Sequence, residues 1–392
     1  MFESDATSTR KGAVLPKPLE LVCFAFCVAN VVWLVTALFT GSFLWELDGR
    51  LTSTDFLNVY AAGKFVLSGA PASAYDWPTH REMEIAVLGY DFKGYYGWHY
   101  PPFYLFVAAT LATLPYAVAH AGWSAVSFPP FLAAVRASTG SRAGYLLALG
   151  APALVANVLV GQNGFLTAAL IGFTLAFLEK RPVLAGICLG ILTYKPHFGI
   201  LFPIALAAGG HWRAFVTAGI TALFLMLVSI IAFGIEPWFA FLRWLPVTSQ
   251  TFLSEGQAEI EKMQSVFALL RTLGSPEWLA WSGQGVLSAA IAFAIWQIWK
   301  SPARPFELKA AALGVGVLLA TPYIYLYDMV TITIPMAFLI GLAMRRGFLR
   351  YEIAGIVAAM LLIAAFPFVK LPVGLLASAI VAAMVWRRLL LR

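Results

Sequence analysis

Long unbroken apolar runs, such as Phe215–Phe233 and Val357–Phe366, are separated along the chain by short clusters of polar and basic residues. None of the long runs alternates with a period of two, so they do not read as the ten-residue strands of a membrane barrel. A helix needs about 20 apolar residues to cross the roughly 30 Å hydrocarbon core. On that basis the pattern predicts about twelve spans, near 19–40, 118–137, 143–160, 164–178, 182–194, 197–208, 214–235, 278–300, 307–322, 328–344, 351–367 and 372–387. The expected class is an all-α polytopic membrane protein, one integral membrane domain over 1–392.

Two long segments interrupt the tight turns. The first, 41–117, holds Asp48, Asp55, Asp76, Glu82, Glu84, Asp91 and His99; the second covers 236–277. In the first, TDFLNVYAAGKFVLSG places Phe56, Val59, Tyr60, Phe65 and Val66 at helical offsets and stops at Gly69 and Pro71. It reads as an interfacial helix with one face in lipid. Pro101 to Pro115 is too short to span and reads as a second interfacial or re-entrant helix.

Composition agrees with this class: 61% of the 392 residues are hydrophobic and 11% charged, against about 25% charged in a soluble domain. The net charge of +7 then belongs to loops rather than to a nucleic-acid surface. Seventeen of the 26 Lys and Arg fall in the N-terminal tail and alternate short loops, including Arg136, Arg142, Lys180, Arg213, Lys309, Arg345 and Arg388. The positive-inside rule makes this side, and both termini, cytoplasmic. The two long segments are then external. The first apolar run, Leu19 to Thr40, exceeds a signal-peptide core and is expected to stay as a span. Cys23, Cys27 and Cys188 lie in apolar runs and read as packing residues. Internal repeats, the mark of many transporters, are not visible.

Candidate chemistry follows from polar residues at the outer ends of spans. Asp55 opens the first short helix and reads either as a helix-terminal carboxylate or as a general base accepting a hydroxyl proton; Asp76 is the second choice of base. Lys195, in TYKPHFG, reads either as a snorkelling lysine or, with His197 beside it, as the group that holds a lipid phosphate. Gln162 and Asn163 in GQNG suit a turn or a sugar or phosphate. GYYGWHYPPFY, with His99 and Tyr100, suits an interfacial belt or a sugar-stacking surface, and Asp328, ending TPYIYLYD, a cap or a ligand. Arg243 and Arg271 are weaker phosphate candidates. Walker, HExxH, GxSxG and D-x-D signatures are absent from the sequence, and Glu82 and Glu84, the nearest approach to a metal pair, should diverge on a helix.

With Asp55 in DFLNVYAAGKFVLSG, the Tyr75-Asp76 pair, Tyr100–Pro102, GQNG at 161–164 and AGICLGILTYKPHFGILFPIAL, the chain resembles the GT-C superfamily of membrane glycosyltransferases, most closely glycosyltransferase family 87. The motifs extend over about residues 50–245, with a looser match at 321–328. The resemblance implies a GT-C fold and transfer of a sugar, typically mannose, from a polyprenyl-phosphate donor to a lipid or glycan acceptor, with inversion. It implies Asp55 as base, Lys195 and His197 on the donor phosphate, no cofactor and no metal, and a bacterial plasma (inner) membrane. Lys64 departs from the small or apolar residue expected there. Two other readings remain: a transporter of lipid-linked sugar or small solute, in which Asp55 and Lys195 are coupling charges, and a non-catalytic assembly subunit.

Overall fold

The computed structural model describes residues 14–94, 96–249, 260–369 and 371–391. Among these, six helices are long and apolar enough to cross a membrane: Lys17–Phe39 (α1), Tyr116–Thr139 (α5), Trp212–Phe233 (α12), Glu277–Lys300 (α15), Leu326–Arg346, and Val373–Leu390 (α20). A seventh span results if Ala143–Leu149 (α6) and Leu154–Val160 (α7), bent by 55°, are taken together. The chain is thus an all-α polytopic membrane protein, with fewer spans established by length than the twelve expected. The remaining predicted spans fall on shorter helices. Gly164–Phe177 (α8), Pro182–Ile191 (α9), Phe202–Ala208 (α11), Phe306–Ala320 (α16) and Glu352–Ala364 (α18) are among them. Several stop at Pro, Gly or 3₁₀ geometry, as α11 does before Gly209 and α9 at Leu192–Tyr194, before Pro196–Gly199 (α10).

The first long segment folds as Phe56–Leu67 (α2), Trp77–Leu88 (α3) and Leu105–Ala112 (α4), the last extending a 3₁₀ turn at Pro102–Tyr104. Both helices expected here form. However, α2 does not rest a face in lipid: Phe56 through Gly63 and Phe65 are all buried. Its seating against α4 depends on Gly63, where an added Cβ would lie 2.1 Å from the carbonyl oxygen of Ala108. Apolar periodicity gave the right helix and the wrong environment, because protein and lipid are equally apolar neighbours. The second long segment forms Glu236–Ser249 (α13) and Val266–Thr272 (α14), with 250–259 lying outside the described residues.

The last part of Leu326–Arg346 is Thr333–Arg346 (α17), preceded by a 3₁₀ stretch at Leu326–Ile332, and every residue from Thr333 to Ala343 is buried. Against this central element pack α5, α8, α16 and α20. By contrast α1, α12 and α15 keep much of their apolar surface outward, with Phe24, Ile231 and Val286 exposed, the pattern of helices that face lipid rather than water.

The basic turns collect at one end. Arg345 pairs with Glu307 at 2.5 Å, Arg388 Nη2 donates to Glu352 Oε2 at 2.6 Å, and Arg304 donates to the Leu389 carbonyl. α5 connects that end to the other: Tyr116 begins it beside Thr54 and Arg136 lies in its last turn. At 1.5 Å per residue its 24 residues place the two ends about 36 Å apart.

Candidate functional site

Asp55 stands at the N-terminal boundary of α2, where an aspartate ordinarily caps the helix, yet its carboxylate makes no cap hydrogen bond. Its Oδ2 instead accepts a bond from Gln162 Nε2 at 3.1 Å. Gln162 is itself fixed from behind, since Tyr100 Oη donates to its Oε1 at 3.3 Å. Tyr75 Oη donates in turn to the Tyr100 carbonyl at 2.8 Å. A side chain with both amide atoms engaged holds a carboxylate in one orientation, which is what a proton acceptor needs.

The turn that delivers Gln162 could not be built from ordinary residues. Gly161 has φ +65°, and a Cβ there would fall 2.5 Å from His120 Nε2 and 2.6 Å from Phe56 Cβ. Asn163, next in the turn, donates from Nδ2 to Tyr104 Oη at 3.4 Å. Its carbonyl accepts from Thr167 Oγ1 at 3.0 Å and from Tyr194 Oη at 3.2 Å. Tyr104 and Tyr194 stack at 4.8 Å between ring centroids, and Tyr100 sits 4.7 Å from Tyr104. The result is a buried aromatic block behind the Gln162–Asp55 contact.

A second polar pair lies beside this network. Lys195, only 6% exposed, donates from Nζ to Asp328 Oδ1 at 2.8 Å. The other carboxylate oxygen of Asp328 accepts the Tyr325 backbone N–H at 3.3 Å, so Asp328 is both a cap of the 3₁₀ stretch and a counter-ion. The Lys195 ammonium also lies over the rings of Tyr327 and Phe198, at 5.5 and 5.7 Å. The two networks touch through Gly164, where an added Cβ would be 2.8 Å from the Tyr327 carbonyl oxygen. His197 follows Lys195 on α10 and packs edge-on to Tyr323 at 6.1 Å.

The structure therefore brings Asp55, Tyr100, Gln162 and Asn163 into one hydrogen-bonded network and sets Lys195 and Asp328 beside it as an ion pair. Asp76 and His99 adjoin Tyr75 and Tyr100 of this network in sequence and make contacts of their own. Asp76 caps α3, accepting from Thr79 N at 3.1 Å and from its hydroxyl at 2.5 Å, and His99 packs on Trp77 at 6.0 Å. Sequence reasoning missed Tyr104, Tyr194 and Thr167. The first two stand inside YPPFY and TYKPHFG, but a helical or 3₁₀ aromatic usually signals packing alone.

It also passed over a buried acid in the same segment. Glu84 is fully buried and its carboxyl oxygens make no hydrogen bond within ordinary limits. Its nearest counter-group is His80 Nε2 at 3.8 Å, one turn earlier. Burial pushes Glu84 up to about 9 and His80 down to about 3, so both are neutral near pH 7. His99 is likewise pushed down to about 3 by burial and by the nearby His80. Glu82, by contrast, is exposed, so the two glutamates do diverge.

The model of the family described as Glycosyltransferase family 87 matches residues 98–322, more than half of the chain. Tyr100, Gln162, Asn163 and Lys195 fall within the matched interval, whereas Asp55 and Asp328 fall outside it and are tied to it by the hydrogen bonds from Gln162 and Lys195. No curated protein and no solved structure matches the chain.

Proposed function

The chain belongs to glycosyltransferase family 87, as a polyprenyl-phosphate-sugar-dependent membrane glycosyltransferase, and we propose that transfer takes place at the end of the bundle that holds Asp55. Asp55 is the general base. It takes the proton of an acceptor hydroxyl as that oxygen attacks the anomeric carbon, and the bond from that carbon to the polyprenyl phosphate breaks, with inversion. The observation that carries this reading is the Gln162–Asp55 bond at 3.1 Å in place of a helix cap. A carboxylate that does not cap its helix and is oriented by a fixed amide is suited to base catalysis worth ~10²–10⁴-fold.

Lys195 is the group proposed to answer the charge that develops on the departing phosphate. One of its three N–H donors is committed to Asp328, which positions the buried side chain, and the others remain for the donor. Such a preset cation stabilises a transition state without reorganising at the moment of reaction. The donor sugar is proposed to be mannose, following the family resemblance, and the acceptor a lipid or glycan hydroxyl. The basic turns at the other end, Arg136, Arg142, Lys180 and Arg345 among them, support an orientation with that end and both termini cytoplasmic, so that transfer occurs on the outer face of a bacterial plasma membrane.

The test is incubation of the purified full-length chain with radiolabelled polyprenyl-phosphate mannose and a lipid extract of the host, followed by product analysis. Appearance of a labelled product is expected, with none from Asp55→Asn. Label transferred equally by both would remove Asp55 from the chemistry.

A further inference from the structure

At the end of the bundle remote from Asp55, the turns enclose a cavity of about 1220 Å³. Four cations line it: Arg136 and Arg142 on either side of the α5–α6 turn, Lys180 beyond α8, and Arg345 near the end of α17. Two carboxylates, Glu20 and Glu307, share the wall, which leaves an excess of two positive charges. Among the described residues, one of the four cations is neutralised locally, by the Arg345–Glu307 pair at 2.5 Å. Among the described residues, Arg136, Arg142 and Lys180 have no carboxylate within salt-bridge distance. Arg136 instead lies over the Tyr145 ring at 5.7 Å.

Topology requires basic residues somewhere in these turns; it does not require four of them, from three separate turns, to converge on one recess. The turn geometry enforces the convergence. Gly140 closes α5 at φ +66°, and the Arg345 guanidinium comes within 3.6 Å of where its Cβ would be. The rest of the wall includes Leu15, Leu146 and Met344, and the cavity is far larger than a single inorganic ion requires. A recess lined by both cations and apolar side chains, at the end of helices long enough to cross a bilayer, matches a ligand with a phosphate head and an acyl tail.

We infer that this cavity binds the phosphate headgroup of an anionic phospholipid, held by Arg142 and Lys180 with Arg136 and Arg345 around it. The site stands apart from the transfer reaction, and its loss leaves the Asp55–Gln162 network untouched.

Native mass spectrometry of the full-length protein, released from micelles carrying phosphatidylglycerol and phosphatidylcholine, tests it. The wild type should retain phosphatidylglycerol in preference to phosphatidylcholine. Arg142→Gln with Lys180→Gln should cut that retention about tenfold or more, without changing the melting temperature, since both side chains are exposed. The control pair Arg213→Gln with Arg350→Gln removes the same charge from positions outside the cavity and should retain the lipid. Equal loss in both pairs, or equal retention of the two lipids by the wild type, would reduce the effect to general surface charge and overturn the site. Displacement of phosphatidylglycerol by an equal concentration of inorganic phosphate would make the ion alone the ligand and overturn the lipid assignment.

Discussion

Lys195 and Asp328 meet at 2.8 Å with 7% and 3% of their side chains exposed, whereas Arg345 and Glu307 meet at 2.5 Å with 48% and 32% exposed. The two contacts look alike in a list of distances and differ in what they mean. The Lys195–Asp328 pair is enclosed beside stacked tyrosines, whereas the Arg345–Glu307 pair sits in turns open to solvent, although the same basic end also holds an enclosed pair, Arg388–Glu352, with 7% and 2% exposed. Exposed pairs contribute ~0–1 kcal/mol, and breaking a buried one by removing one partner costs ~3–5 kcal/mol. On the proposed function, the enclosed Lys195–Asp328 pair carries that cost to hold a fixed charge for the donor phosphate, a use the exposed Arg345–Glu307 pair does not share.

The sharpest way to break this comparison is to remove one carboxylate from each pair. Asp328→Ala should lower unfolding stability by ~3–5 kcal/mol, against ~0–1 for Glu307→Ala, read as thermal unfolding in detergent. Similar melting of the two variants would show that the Lys195–Asp328 pair is not buried in solution. Replacing both partners, Lys195→Met with Asp328→Leu, should recover most of the stability while leaving transfer lost, which separates the structural role of the pair from its proposed role at the phosphate.

The glycine turns sharpen the contrast at smaller magnitude. Gly161 and Gly210 both have positive φ, +65° and +71°, but an added Cβ meets His120 and Phe56 at Gly161 and open space at Gly210. Gly210→Ala should cost ~1–2 kcal/mol for the backbone alone, and Gly161→Ala ~1–3 kcal/mol more for the displaced neighbours. Chemical denaturation of the two variants checks the difference.

The smallest expected effect concerns pH and the buried acid of α3. Glu84 is raised by burial from its ordinary 4.5 to about 9. Between those values the unfolded chain has lost the proton and the native chain keeps it, so stability falls as pH rises through the window. His80, lowered by burial from 6.5 to about 3, works oppositely: it costs stability as pH falls below 6.5. Of these two groups, Glu84 alone acts above pH 6.5. The melting temperature of the wild type should therefore decline from pH 6.5 to 8.5 more steeply than that of Glu84→Gln, by a few degrees, and parallel curves would place Glu84 in contact with water.

Much of this was legible in the chain. The apolar runs located the helices, and the basic residues foretold that Arg136, Lys180, Lys309 and Arg345 would share an end. GQNG and TYKPHFG pointed to Gln162, Asn163 and Lys195 before any geometry was known. Burial of α2 was not legible, because a face apolar enough for lipid is apolar enough for a protein core. Length establishes six or seven of the expected spans, and the runs at α8, α9 and α11 fold as helices shorter than a full crossing, because apolar composition registers a short helix as readily as a long one. The partnership of Lys195 with Asp328 joins positions 133 residues apart in the chain, which no local pattern encodes. Asp76, a carboxylate of the right type in the same segment, caps α3, a partnership the sequence did not single out.

The central claim, that Asp55 is a base oriented by Gln162 rather than a helix cap, is tested most directly by the single-turnover rate of Asp55→Asn at saturating donor. Asparagine keeps the size and one oxygen of the side chain, so insertion and donor binding should persist. The account predicts a fall of at least ~10²-fold in the rate of sugar transfer. A rate within a few-fold of the wild type, from protein that melts normally, would contradict it.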